Sequence, residues 1–228
     1  MPMHDKPLPG ETPAYRAARD ELLQAEVDLR DQIERVAALR RALPDGGPPP
    51  EDYKFQELLP DGGTRHVHLS ELFDKPDAAL ILYSLMYGPD WDAPCPSCTS
   101  ITDGFAGFAQ HVSARVNFAV VSAAPPGKLK ALEDDRDWQR NDLRLLSAHD
   151  NHYQRDYHGQ AGDDDSTQLP VLNVFTRRNG EIRHFWASEL LWADLDGHPR
   201  HVDLIWPLWN LLDLTPDGRG QDGPQLTY

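Results

Sequence analysis

The chain has two cysteines, Cys95 and Cys98, three positions apart in the run Cys95-Pro96-Ser97-Cys98. That spacing suits thiol–disulfide chemistry. If Cys95 caps a helix, Pro96 falls on the first helical position, where no N–H donor is needed. The free amides of the first turn, including that of Cys98, then point at the Cys95 sulfur. Together with the helix dipole they favour negative charge there and lower the thiol pKa below its free value of about 8.5. Cys95 becomes the attacking thiolate, and Cys98, one turn on, is in reach to resolve a mixed disulfide.

A redox pair of this kind needs a strand to deliver it and a helix to hold it. Residues 78–86 are almost all apolar, as a strand covered on both faces should be. A loop from Gly88 to Pro94 leads into the cysteines, and a helix is expected from there to about Ser113. Further strands are expected at Tyr53–Gln56, Thr64–Leu69, Val116–Val121, Leu143–Leu146, Val171–Phe175 and Ile182–Ala187. Asn179-Gly180 marks a hairpin turn. A charged helix should cover about 125–137. A C-terminal helix should cover about 200–212, with a kink at Pro207. Residues 149–168, rich in His, Asp and Gly, read as an irregular polar insertion.

This order is that of an α/β, thioredoxin-like fold with a mixed central sheet, an N-terminal β-hairpin and a long N-terminal helix. In such folds a proline just before the third core strand is usually cis and lies against the cysteines. Leu169-Pro170-Val171 therefore predicts a cis bond at Pro170, with Pro170, Leu169 and Trp91 shaping a substrate groove. Asp90 and Asp92 sit in the approach loop, where nearby negative charge would oppose thiolate formation at Cys95. The strand 78–86 holds no acid and no lysine to act as proton acceptor.

The remaining organisation follows from composition. Residues 1–50 divide into a polar tail and a helix opened by Thr12-Pro13 and closed by the Pro44–Pro50 stretch. Tyr15, Leu22, Leu29, Val36 and Leu43 recur every seven residues along it. This stripe must pack on something. Two roles stay open for it, a brace along its own domain and a homodimerisation arm through residues 13–43. Residues 51–214 form the redox domain and 215–228 a polar tail.

With 22 basic and 37 acidic residues the formal charge is -15, which repels nucleic acid and anionic membranes. No apolar run approaches the roughly 20 residues of a membrane span, and no signal peptide is visible, so a cytoplasmic location is expected. No phosphate-binding loop or dinucleotide fingerprint appears, and no cofactor is expected.

Three rivals deserve weight. Two cysteines with His149, His152 and His158 could supply a zinc set, but proline inside the pair and the buried strand upstream fit redox chemistry better, so no metal is expected. A peroxide-reducing variant would want Thr or Ser three residues before the cysteine, where Asp92 stands. The third is a non-enzymatic interaction module. His66 and His68 share a solvated strand face, and His198 and His201 read as helix-surface residues. The expected partners are a protein or small-molecule disulfide and an unidentified reductant.

Tyr87-Gly88-Pro89-Asp90-Trp91 leading into Cys95-Pro96-Ser97-Cys98, then Asp103-Gly104-Phe105, resembles the bacterial domain-of-unknown-function family 899. Phe118-Ala119-Val120-Val121-Ser122 and Leu212-Asp213-Leu214-Thr215-Pro216 extend the match over most of the chain. The resemblance implies a thioredoxin-like dithiol–disulfide oxidoreductase without an established substrate, with Cys95 and Cys98 as its redox pair. The His-rich stretch from His149 to Tyr157 is more polar than the family's usual aromatic-rich sequence there.

Overall fold

A computed structural model describes residues 3–141, 143–162 and 166–228. Positions 163–165 fall within the expected insertion, so that part of it lies outside the described residues. The chain divides into two compact units, residues 1–44 and 45–228.

In the first unit, helix α1 (Pro13–Arg41) starts where the sequence says it should. The Thr12 hydroxyl accepts a hydrogen bond from the Tyr15 amide, and proline opens the first turn. Arg40 and Arg41 sit in its last turn, complementing the dipole. The helix buries none of its residues, and Leu22, Leu29, Ile33 and Leu39 are each more than half exposed.

In the second unit, β1 (Lys54–Leu58) and β2 (Thr64–His68) form a hairpin. Then come β3 (Leu80–Leu85), α2 (Pro96–Ser113), β4 (Asn117–Ser122), α3 (Pro126–Arg136) and β5 (Leu145–Ser147). The chain continues through a one-turn helix α4 (Tyr153–Asp156), β6 (Leu172–Arg178), β7 (Glu181–Ala187) and α5 (Pro207–Leu212). Among the described residues, seven strands make one mixed sheet in the order β2-β1-β5-β4-β3-β6-β7. β3, β4 and β5 run parallel. β6 returns antiparallel to β3 and pairs antiparallel with β7. A βαβ half joined to a ββα half in this order is the thioredoxin-like arrangement, with the β1–β2 hairpin added beyond β5.

Side-chain alternation splits the core. Ile81, Tyr83, Leu85, Phe118, Val120 and Leu145 pack on the α2 side. Leu80, Leu82, Ala119, Val121 and Leu146 pack on the other, with Tyr53, Phe55, Tyr153 and Phe175. Both faces of the central strands are therefore dry, which explains their nearly unbroken apolar runs.

Four expectations need correction. No peptide bond is cis among the described residues, so Pro170 is trans. Its flanks show why an extended trans entry works: the Leu169 amide donates to the Gly159 carbonyl at 2.9 Å, and Val171 O accepts from Ser84 N at 2.8 Å. These bonds already carry the chain straight into β6. Second, residues 200–212 are not one kinked helix. A 3-10 turn at Asp203–Ile205 is followed by extended Trp206, and Pro207 opens α5. The residue before a proline avoids helical backbone, so the break falls at Trp206, whose indole is buried and donates to Ser100 Oγ at 3.2 Å.

Third, His201 is not a surface residue. It is only 8 % exposed, and its Nε2 lies 3.1 Å from the Pro170 carbonyl oxygen. Fourth, the insertion is not wholly irregular. α4 buries Tyr153 completely against Tyr53 and Phe55, and the Gln154 Oε1 accepts from buried Ser84 at 2.9 Å.

At one end of the sheet the His184 amide donates to the Gly47 carbonyl at 3.0 Å, so residues 46–47 run along the outer edge of β7. A side chain on Gly46 would meet the His184 carbonyl oxygen at 2.3 Å, which only glycine avoids.

Candidate active site

β3 ends at Leu85, and the Cys95 amide donates to the Met86 carbonyl at 3.0 Å. That bond pins the start of α2 to the exit of the strand. Cys95 is the N-cap residue in extended backbone, and Pro96 takes the first helical position. Thr99 and Thr102 donate their hydroxyls to the carbonyls of Cys95 and Cys98, fixing the first turns. Further along, Asp103 accepts from the Trp138 indole at 2.8 Å and pairs with Arg136 of α3.

The two cysteines approach to 3.7 Å. Cys95 is half-buried, whereas Cys98 is 1 % exposed. Their thiols are pushed apart in acidity. The Cys98 thiol hydrogen-bonds the Cys95 sulfur and lowers the Cys95 pKa to about 6. Burial works against this, and the amides of Cys98 and Ser97 and the Ser97 hydroxyl assist it. Burial and the neighbouring Cys95 push the Cys98 thiol up, with the Tyr83 hydroxyl and the Met86 backbone pulling the other way. One sulfur is thus ionised near neutral pH and open to attack a substrate, and the other is protonated and shielded.

Tyr83 was invisible as a functional residue in sequence, because a tyrosine inside an apolar strand reads as core. It is fully buried on the α2 face, edge-on to Phe105 at 5.2 Å, and its hydroxyl faces the Cys98 sulfur. That hydroxyl closes no conventional hydrogen bond, so the sulfur is the polar group it answers. Lys128 was also missed. From α3 its ammonium donates to the Pro89 carbonyl at 2.7 Å and the Trp91 carbonyl at 2.9 Å, and it lies 5.8 Å from the Tyr87 ring centroid.

Trp91 packs against the same cluster as both cysteines, and its indole donates to the Ser166 carbonyl at 3.3 Å. Leu169 and Pro170 lie at the same end of the sheet. Leu172 pairs with Tyr83 and Val171 bonds Ser84, so Pro170 falls one step further toward the start of α2. Asp90 and Asp92 are both exposed. Asp92 helps raise the Tyr87 phenol, whose burial is the larger cause. The groups that lower the Cys95 thiol are its partners in the first turn of α2, Cys98 first and then Ser97. Among the described residues, no three His, Cys, Asp or Glu side chains gather to hold a metal ion, and no helix is long and apolar enough to cross a membrane.

Lys128→Met should cost about 2 kcal/mol, since it leaves two loop carbonyls without their charged donor. Hydrogen exchange should locate the loss, with faster exchange confined to residues 88–92. Unchanged exchange there would remove the clamp role.

No functionally curated protein matches the sequence. Among solved structures, the peroxidoxin BcpB from Mycobacterium tuberculosis is similar at 17% identity and TM-score 0.47, over 72% of this chain and 94% of that one. Peroxiredoxin Q from Xanthomonas campestris is similar at 13% identity and TM-score 0.47, over 73% and 96% of the two chains. The reduced 2-Cys peroxiredoxin of Plasmodium vivax follows at 18% identity and TM-score 0.45, over 71% and 93%. A family model described as "Bacterial protein of unknown function (DUF899)" matches residues 5–228, and the chain belongs to that family.

Proposed function

We propose that the protein is a dithiol–disulfide oxidoreductase. The observation that carries this is the placement of two cysteines 3.7 Å apart at the start of α2, Cys95 half-buried at the N-cap and Cys98 buried behind it, which pulls the Cys95 thiol down and pushes the Cys98 thiol up. The Cys95 thiolate attacks one sulfur of a substrate disulfide, forming a mixed disulfide and releasing the other substrate sulfur as a thiolate. Cys98 then gives up its proton and attacks the Cys95 sulfur. The Cys95–Cys98 disulfide forms and the second substrate thiol leaves. Two electrons pass to the substrate, and an external thiol reductant must restore the pair.

Trp91, Leu169 and Pro170 border this end of the sheet and are the proposed groove. His201 holds the Pro170 carbonyl and so positions the groove's wall.

The reading is tested by mixing the reduced protein, in excess, with insulin and separately with hydrogen peroxide, and counting thiols consumed. Reduction of insulin with loss of two protein thiols per disulfide cleaved supports disulfide exchange. Inert insulin with rapid peroxide consumption would transfer the site to peroxide reduction. Inertness toward both would end the enzyme reading.

A further inference from the structure

The stretch of the insertion from Tyr153 to Tyr157 packs on the face of the sheet opposite the dithiol. It helps wall a separate cavity of about 520 Å³, set against β6 and β7. That size is ordinary for a small-molecule site. Asn173 and Ala187, paired across the two strands, form its floor. Phe175 of the same strand packs in the core layer opposite Cys98.

Local irregularity builds the walls. Val174 pairs with Trp186 but Phe175 pairs with His184, so β7 carries one extra residue at this point. Such a bulge re-aims the side chains beyond it. Here it turns His184 onto the cavity face, against Phe175 at 5.3 Å and stacked on Tyr157 at 5.5 Å. Across the cavity, His158 has φ +57, a left-handed backbone that costs a non-glycine residue about 1–3 kcal/mol. The next residue keeps it there. Gly159 packs so tightly on the Ser84–Gln154 hydrogen bond that a Cβ would lie 1.9 Å from Gln154 Oε1. The outcome is a His158 ring set edge-on to Trp192 at 5.2 Å.

The polar groups favour one sign of charge. Asp156 and Glu189 supply carboxylates, and among the described residues no lysine or arginine lines the space. One Asp156 oxygen is fixed by the Tyr53 hydroxyl at 2.8 Å and the other lies 3.8 Å from Arg155 Nε, so Glu189 is the principal charge for a cation. Burial lowers the His184 pKa, so its ring is neutral at pH 7. Its Nε2 lies 3.0 Å from Asn173 Oδ1, an amide oxygen that only accepts, so the ring's single proton sits on Nε2 and Nδ1 is left an acceptor. The chain's charge of -15 adds a field that draws cations. Aromatic faces beside carboxylates bind ammonium ions through both charge and ring quadrupole.

We propose that this cavity is a second binding site, on the face opposite the dithiol, for a small organic ammonium ion with a flat apolar body. It does not depend on the redox activity.

The test is a titration of the full-length protein followed by backbone amide NMR, with benzylamine, benzyl alcohol and benzoate as probes of one shape and three charges. Benzylamine, protonated at pH 7, should saturate shifts at residues 156–158, 173 and 184–193. Benzyl alcohol should bind at least about fivefold more weakly and benzoate not at all. Glu189 and Trp192 are exposed, so both tolerate substitution. Glu189→Gln should weaken benzylamine about fivefold and leave benzyl alcohol unchanged, and Trp192→Ala should weaken both. No saturable benzylamine shifts in this region, benzoate binding as tightly as benzylamine, or full affinity in both variants would each overturn the proposal.

Discussion

Cys95→Ser should reduce insulin-disulfide turnover to background, and Cys98→Ser should stall it after one step with substrate covalently attached. The two variants fail differently because the sulfurs are not equivalent. Cys95 alone is both ionised and accessible, so without it no mixed disulfide forms. Without the Cys98 sulfur the mixed disulfide forms and has nothing to resolve it. Mass spectrometry of the intact protein distinguishes them: an adduct on Cys98→Ser, none on Cys95→Ser. Adducts of equal yield on both would sink the assignment of roles.

A companion variant, Cys98→Ala, removes the largest contribution lowering the Cys95 pKa, the Cys98 hydrogen bond. One hydrogen bond to a charged group is worth about 1.5–3 kcal/mol, so the Cys95 midpoint should rise from about 6 by roughly one unit or more. The sign matters for the readout. Alkylation of the wild type should fall only as pH drops through about 6, and that of the variant should already have fallen above that point. The midpoint of the pH profile is the quantity to compare. A less acidic thiolate is intrinsically more nucleophilic and masks part of the change at any single pH.

Tyr83→Phe should slow resolution of the mixed disulfide roughly tenfold while leaving its formation unchanged. Cys98 must ionise inside the core to attack, and burial makes that costly. The Tyr83 hydroxyl is the side-chain donor that favours the charged sulfur. Its removal takes away nothing else, because that hydroxyl has no other hydrogen-bond partner. Thermal stability should stay level or rise, since a buried hydroxyl without a full partner is lost. The resolving step should also move to higher pH, a change that a purely structural residue would not produce. A resolution rate and pH profile matching the wild type would show that Tyr83 only fills space.

Legibility in sequence followed burial. β3 and β4 announced themselves because both faces of the central sheet are dry and their apolar residues run nearly unbroken. The cysteine helix was legible because proline after Cys95 marks its first turn. What sequence hid were contacts made across the fold. Tyr83 and Cys98 are fifteen residues apart, and nothing local shows that the phenol ends at the sulfur. His201 looked like a helix-surface residue because its partner, the Pro170 carbonyl, lies 31 positions away. The trans geometry of Pro170 rests on the Gly159 and Ser84 backbone bonds, which are equally remote. In the insertion, Tyr153 carries no periodic signal, yet it is among the most buried side chains.

The strap of residues 46–47 along β7 has a consequence for how molecules meet in a crowded solution. A sheet's outermost strand is a template that foreign chains can extend, and runaway extension is how folded proteins begin to aggregate. Here one position of that template on the β7 side, the His184 amide, is already taken by the Gly47 carbonyl at 3.0 Å. The segment that occupies it runs directly into Pro48-Pro49-Pro50, which have no amide hydrogens to offer a further strand. Growth is therefore blunted at that end by a stretch whose composition alone suggests only a spacer.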